Sequence, residues 1–210
     1  LENALSSNGC YARAQRCVQE GRYVQAVRDF RIVLGVRPDN AGLTGELGRA
    51  LLLAAEYPEA KATLTRAIEL DDSLDSARLD LARTLIRLRD PQAAEALVRS
   101  VLKRDPERRG ARGLLGVTAA LQGRFDDADR EFSAAGDGEL EVNDYMMWGE
   151  SLNRLKRPEQ AVQRYRQAVA LAPGFAPARF NLAVVLEAAG QVDEAIEQFR
   201  EAGRLDPRLP

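Results

Sequence analysis

Few residues in this chain could do covalent or acid–base chemistry. It has no His, which removes the commonest general base and the commonest metal ligand. Cys10 and Cys17 are its only thiols. Seven residues apart on one helix, they share a face but stand about 10 Å apart, too far to bridge. They read as small apolar core residues. An oxygen-rich stretch, Gly136-Asp137-Gly138-Glu139-Leu140-Glu141-Val142-Asn143-Asp144, has ligand atoms but not the spacing of a calcium loop. It reads as a solvated linker in which Asn143 or Asp144 caps the next helix. There is no nucleophile with a partner base, no phosphate loop and no metal-ligand cluster. The residues therefore predict no enzyme, no catalytic residue, no metal and no cofactor.

Charge narrows the partners. Thirty basic and 32 acidic residues leave a net charge of −2, which does not suit nucleic acid or an anionic membrane. A hydrophobic fraction of 45% is enough for a continuous core. No apolar run is long enough to span a bilayer and no signal peptide is present, so a soluble cytoplasmic or periplasmic protein is expected. Beginning at Leu1 and not Met, the chain is expected to be a processed or excised piece of a longer protein.

The elements that position these residues repeat. Ala26, Ala60, Ala94, Ala128, Ala161 and Ala195 recur every 34 residues, with one step of 33 before Ala161. Each is preceded on the same register by Ala14, Gly48, Ala82, Gly116, Gly149 or Ala183. Each is followed four residues on by Phe30, Leu64, Val98, Phe132, Tyr165 or Phe199. A period of this length marks stacked supersecondary units, and stacked units present an extended surface, not an enclosed pocket. Gly21, Gly123 and Gly190 supply left-handed C-caps between two helices. Pro58, Pro91 and Pro158 start the second helix in the other three units, where the missing N–H costs nothing. The reading is an all-α solenoid of six helix-turn-helix units at 7–40, 41–74, 75–108, 109–141, 142–175 and 176–210, after an N-terminal extension at 1–6. The short junction after the fourth unit is expected to change the local curvature and to act as a hinge.

The pattern resembles the tetratricopeptide repeat family of bacterial type. Unit six follows it closely through Leu182, Ala183, Gly190, Ala195, Phe199, Ala202 and Pro207. The resemblance implies a right-handed superhelix whose first helices line a concave groove. Carried over position by position, it implies a partner-binding surface of Arg49, Leu52, Leu53, Leu79, Arg83, Ile86, Arg87, Val117, Leu121, Met146 and Phe180. That groove is unusually apolar, and an exposed apolar surface marks a binding site. Arg49, Arg83 and Arg87 are expected to form a trio able to grip a carboxylate or phosphate through forked hydrogen bonds, unless Glu46 and Asp80 already pair them. The family's carboxylate clamp for chaperone C-termini is absent, and Glu46 would repel its ligand.

These readings converge on a non-catalytic scaffold that takes an apolar or amphipathic segment of a partner protein or peptide. It would serve as an adaptor in a bacterial secretion, pilus or polysaccharide-export assembly. The alternative is a regulatory or substrate-recruiting module of a larger bacterial enzyme. Nucleic acid and membrane insertion are not expected. Ile196, Phe199 and Leu205 at the uncovered last repeat are expected to be covered either by further chain of a longer protein or by end-to-end self-association.

Overall fold

In a computed structural model, the described residues are 2–136 and 138–209, with side chains described from residue 9 onward. Among them are twelve helices and no strand: α1 Glu2–Gln19, α2 Tyr23–Val36, α3 Ala41–Leu53, α4 Tyr57–Leu70, α5 Asp75–Arg87, α6 Pro91–Arg104, α7 Ala111–Leu121, α8 Phe125–Ala135, α9 Val142–Arg154, α10 Pro158–Leu171, α11 Ala176–Ala188 and α12 Val192–Leu205. They pack as successive hairpins, α1 on α2 through α11 on α12. Helix α1 begins at Glu2, inside the segment expected as an extension ahead of the first repeat. None of the described helices is long and apolar enough to cross a membrane.

All six hairpin turns close in the same way. The N–H groups of Arg22, Glu56, Asp90, Arg124, Arg157 and Gln191 donate to the carbonyls of Cys17, Leu51, Leu85, Ala119, Leu152 and Leu186, five residues back, at 2.8–2.9 Å. This is the Schellman bond, and it requires a left-handed residue just before the donor. Gly21, Gly123 and Gly190 meet that need at φ of +72°, +73° and +77°. The Pro-containing hairpins make the same turn without glycine: Ala55, Arg89 and Lys156 sit at φ of +64°, +64° and +59°. Proline after the turn does not replace the left-handed residue.

Small residues on each first helix admit a large side chain from the second. A Cβ on Gly48 would lie 2.5 Å from Leu64 Cγ, one on Gly116 2.6 Å from the Phe132 ring, and one on Gly149 2.8 Å from the Tyr165 ring. Gly48 thus faces Leu64 of the second helix. Leu64, Phe132 and Tyr165 are accordingly buried to within 1%.

The chain forms two compact units, 1–106 and 107–210. The division falls after the third hairpin, whereas the junction expected as a hinge lies within the second unit. There Leu140 is buried. Glu141, not Asn143, is the N-cap of α9, and the Asp144 carboxylate accepts from its N–H at 2.9 Å in a capping box. In the first unit, Arg78 is buried and bonds both the carboxylate and carbonyl of Asp72, while Arg104 donates to that carbonyl at 2.9 Å. These guanidinium contacts fasten the α4–α5 turn to α6. Cys10 and Cys17 are both buried and unbridged on α1.

An L-residue in the left-handed region costs roughly 1–2 kcal/mol, partly offset by the unfolded-state entropy that glycine carries. Ala55→Gly is therefore expected to stabilise the chain by about 0.5–1 kcal/mol, and Gly21→Ala to destabilise it by a similar amount. Denaturant unfolding followed by circular dichroism checks both. A loss of stability in Ala55→Gly would show that the turn carries no such strain.

Candidate protein-interaction surface

The first helices pack on one another within each unit, α3 on α5 and α7 on α9. Side chains on their outward side therefore form a surface separate from that of the second helices. In the first unit, Arg49, Leu53 and Arg87 are exposed and Leu52, Arg83 and Ile86 are half-buried. Leu53 keeps 40% of its surface in water. In the second unit, Leu121 is 37% exposed and Val117, Met146 and Phe180 are half-buried. Val117 and Met146 rest on the core, and Phe180 meets Phe199 edge-on with ring centres 5.5 Å apart.

Leu79 departs from the expectation. It is 4% exposed and belongs to the core. Helix α5 is packed by α3, α4 and α6, and every residue from Ala77 to Ala82 is buried. The side chain of Leu79 is taken up in this packing and is not part of the outward surface.

The arginine trio also divides. Arg83 Nη1 contacts Asp80 Oδ1 at 2.9 Å. Arg49 contributes a second positive charge to Asp80. Arg87 turns elsewhere: its Nε donates to the Tyr57 hydroxyl at 3.0 Å and its guanidinium lies 5.3 Å over the Tyr57 ring. The carboxylate that the trio could have gripped is thus supplied internally. Asp80 is buried, and burial pushes its carboxyl up from the ordinary range while Arg83 and Arg49 draw it partly back.

Other polar features of this surface were not apparent from spacing. Tyr11 donates to Glu46 at 2.8 Å and accepts from Gln15 at 2.8 Å. Burial and the Glu46 carboxylate raise the Tyr11 phenol, so it stays protonated. A depression of about 370 Å³ lies beside this chain of bonds, lined by Gln15, Val18, Phe30, Glu46 and Arg49.

Two further contacts join the first and second helix of one hairpin at matching register. Arg13 forks onto the buried Asp29 with both bonds at 2.6 Å, and this pairing holds the Asp29 carboxyl below its usual range. In the fifth hairpin the Arg164 guanidinium lies 3.6 Å over the Trp148 ring, whose Nε1 donates to Asp129 at 2.8 Å. The sequence held a signal for both. Arg13 and Trp148 occupy the position that is Leu47, Leu81, Leu115 and Leu182 in the other units, and each faces the residue sixteen later.

Comparison with known proteins settles the family. Tetratricopeptide repeat models match residues 18–78, 79–135 and 146–210. The chain belongs to the tetratricopeptide repeat family. It is 33% identical over 153 residues to the peroxisomal targeting signal receptor of Kluyveromyces lactis. That match covers 71% of this chain and 24% of the receptor, so the chain spans about a quarter of this relative. Among solved structures it superposes on a chain of the APC/C hetero-tetramer Cut9–Hcn1 with a TM-score of 0.87. That alignment has 17% identity and covers 99% of this chain and 44% of the other. YrrB, described as a TPR protein with an unusual peptide-binding site, gives a TM-score of 0.61 at 18% identity, over 85% of this chain and 93% of YrrB. These structures share the fold. A tetratricopeptide repeat array is a protein-interaction module.

The raised Asp80 carboxyl has a definite sign in stability. A folded-state value above the unfolded one, about 3.9, means its contribution is full below that value and is lost as pH rises through the folded one. Asp80→Asn removes this dependence. The melting temperature of the native chain minus that of Asp80→Asn is therefore expected to fall as pH rises above the unfolded value, about 3.9, and to level off once the folded carboxyl has ionised. A difference that is flat, or that grows with pH, would mean the two arginines outweigh burial.

Proposed function

We propose that the chain is a non-catalytic scaffold that binds an apolar or amphipathic segment of a partner protein along the outward side of its first helices. The observation that carries this reading is the set of incompletely buried apolar side chains that each unit presents there. Leu52, Leu53 and Ile86 stand in the first unit, and Val117, Leu121, Met146 and Phe180 in the second. Val117, Met146 and Phe180 also serve packing, but Leu53 and Leu121 keep 40% and 37% of their surface in water, and apolar surface left exposed in this way fits a ligand's needs. Repeated apolar anchors in a groove are an established way to hold a peptide or helix. Asp80 already pairs Arg83, so the apolar anchors carry more of this reading than the arginines do.

The family supports a binding role. The yeast receptor is named for a targeting signal, and YrrB for a peptide-binding site. The proposed setting is an adaptor in a bacterial multiprotein assembly for secretion, pilus formation or polysaccharide export. The absence of any nucleophile–base pair in the sequence supports the non-catalytic part.

The test is loss of a captured partner. The native chain and a Leu53→Glu, Ile86→Glu, Leu121→Glu variant are compared as baits, with circular dichroism melts confirming that both fold. Leu53 and Leu121 are exposed, and Ile86 is half-buried, so the fold is expected to tolerate the changes. Each charged replacement of an anchor is worth about 1–3 kcal/mol, so the purified partner is expected to bind at least about tenfold more weakly. Equal binding by both chains would move the site off the first helices.

A further inference from the structure

A second surface lies on the outer side of α2. Val24, Ile32 and Val36 on this helix are 62%, 52% and 50% exposed, and Arg28 lies exposed between the first two. They follow one another at spacings of four and eight residues, which places them in a single row along the helix.

The repeat shows what this row ordinarily does. At the Val24 position the other second helices carry Pro58, Gln92, Asp126, Glu159 and Asp193, all but one of them polar or charged and all of them exposed. At the Ile32 position they carry Arg66, Ser100, Ala134, Gln167 and Glu201, none of them buried. The row therefore faces water whether or not a repeat stands before or after it. Stacking does not account for Val24 and Ile32, because five hairpins show that stacking does not cover these positions. Only in α2 is the row apolar at both.

Chemistry at the row narrows what covers it. Helix α2 and the residues flanking it hold Arg22, Arg28, Arg31 and Arg37 against one acid, Asp29, which Arg13 already neutralises. Arg22 and Arg31 are engaged by Glu20 and Glu59. Arg28, in the middle of the row, has no partner among the described residues. A depression of about 730 Å³ runs beside the row, lined by Tyr23, Val24, Arg28, Asp29 and Ile32. An apolar stripe with an unpaired cation at its centre complements an amphipathic helix with apolar side chains two turns apart and a carboxylate on the turn between.

We propose that the outer face of α2 is a second protein-docking site, separate from the first-helix surface, that takes an acidic amphipathic helix of a partner protein. Val24 and Ile32 anchor it and Arg28 selects for its carboxylate.

Phage-displayed helical peptides would be selected on the whole chain, with subtraction of those that also bind a Val24→Ser, Ile32→Ser variant. Both residues are exposed, so the variant is expected to keep its fold, which a circular dichroism melt confirms. The expected survivors have two apolar residues two turns apart with Asp or Glu between. As synthetic peptides they bind the native chain at least about tenfold more tightly than the variant. On Arg28→Glu the same peptides lose affinity, and their Lys-substituted forms regain it. The Leu53→Glu, Ile86→Glu, Leu121→Glu variant, which disables the proposed first-helix surface, leaves their binding unchanged, so failure of one site does not imply failure of the other. Survivors without an acid preference, survivors indifferent to Arg28→Glu, or no survivors at all overturn the proposal. So does binding of the native chain, but not the variant, to phosphatidylserine vesicles, which would assign the stripe to a membrane surface.

Discussion

The structure depends on one hydrogen bond made six times: from the backbone N–H that follows each left-handed turn residue to the carbonyl five residues earlier. It ends the first helix and reverses the chain. It also brings the second helix back at the depth where Leu64, Phe132 and Tyr165 fill the space left by Gly48, Gly116 and Gly149. A shift of one residue would present these large side chains to a Cβ, not to a vacancy. The turn therefore sets the register of the hairpin, and the hairpin sets which residues face outward. The carbonyl acceptors belong to residues that are themselves buried, from Cys17 to Leu186, so the bond forms away from competing water.

The fold was legible because the packing residues repeat. Six copies of a small residue, an alanine and a large apolar residue could be averaged by eye, and the glycines at 21, 123 and 190 announced their turns. Ala55, Arg89 and Lys156 could not be read that way. Nothing in an Ala, Arg or Lys signals a positive φ, and only the cooperative turn around it imposes one. The start of α1 at Glu2 was hidden for a related reason: a helix can extend beyond its repeat without adding any periodic contact.

The surface was legible in outline but not in pairing. Ten of the eleven positions singled out on the first helices keep part of their surface outside the core, and Leu79 alone does not. Its burial belongs to an unbroken buried run from Ala77 to Ala82 on α5, a property of the packing and not of its position in the repeat. The arginines failed for a different reason. Arg83 has an acid three residues earlier on its own helix, within easy reach, while Arg87 has an aromatic ring from the preceding hairpin. Spacing along the chain ranks neither choice. Long flexible cations settle on whichever partner the packing brings near, and only coordinates reveal it.

Repeat arithmetic gives function a handle that a single fold does not. In a singular domain an exposed valine means little, because scattered apolar residues are normal on any surface. Here each position has five internal controls in the same environment. Val24 and Ile32 depart from rows that elsewhere keep unburied, mostly polar or small residues, and Arg13 departs from a row of four buried leucines and Trp148. The second departure is explained within the molecule: Asp29 lies sixteen residues on and receives both guanidinium bonds. The first has no internal explanation, since no described side chain covers Val24 or Ile32 and none neutralises Arg28. Substitutions that the fold compensates belong to stability. Those it leaves uncompensated cost hydration of apolar surface in the free protein, and that cost is recovered only when something else covers them.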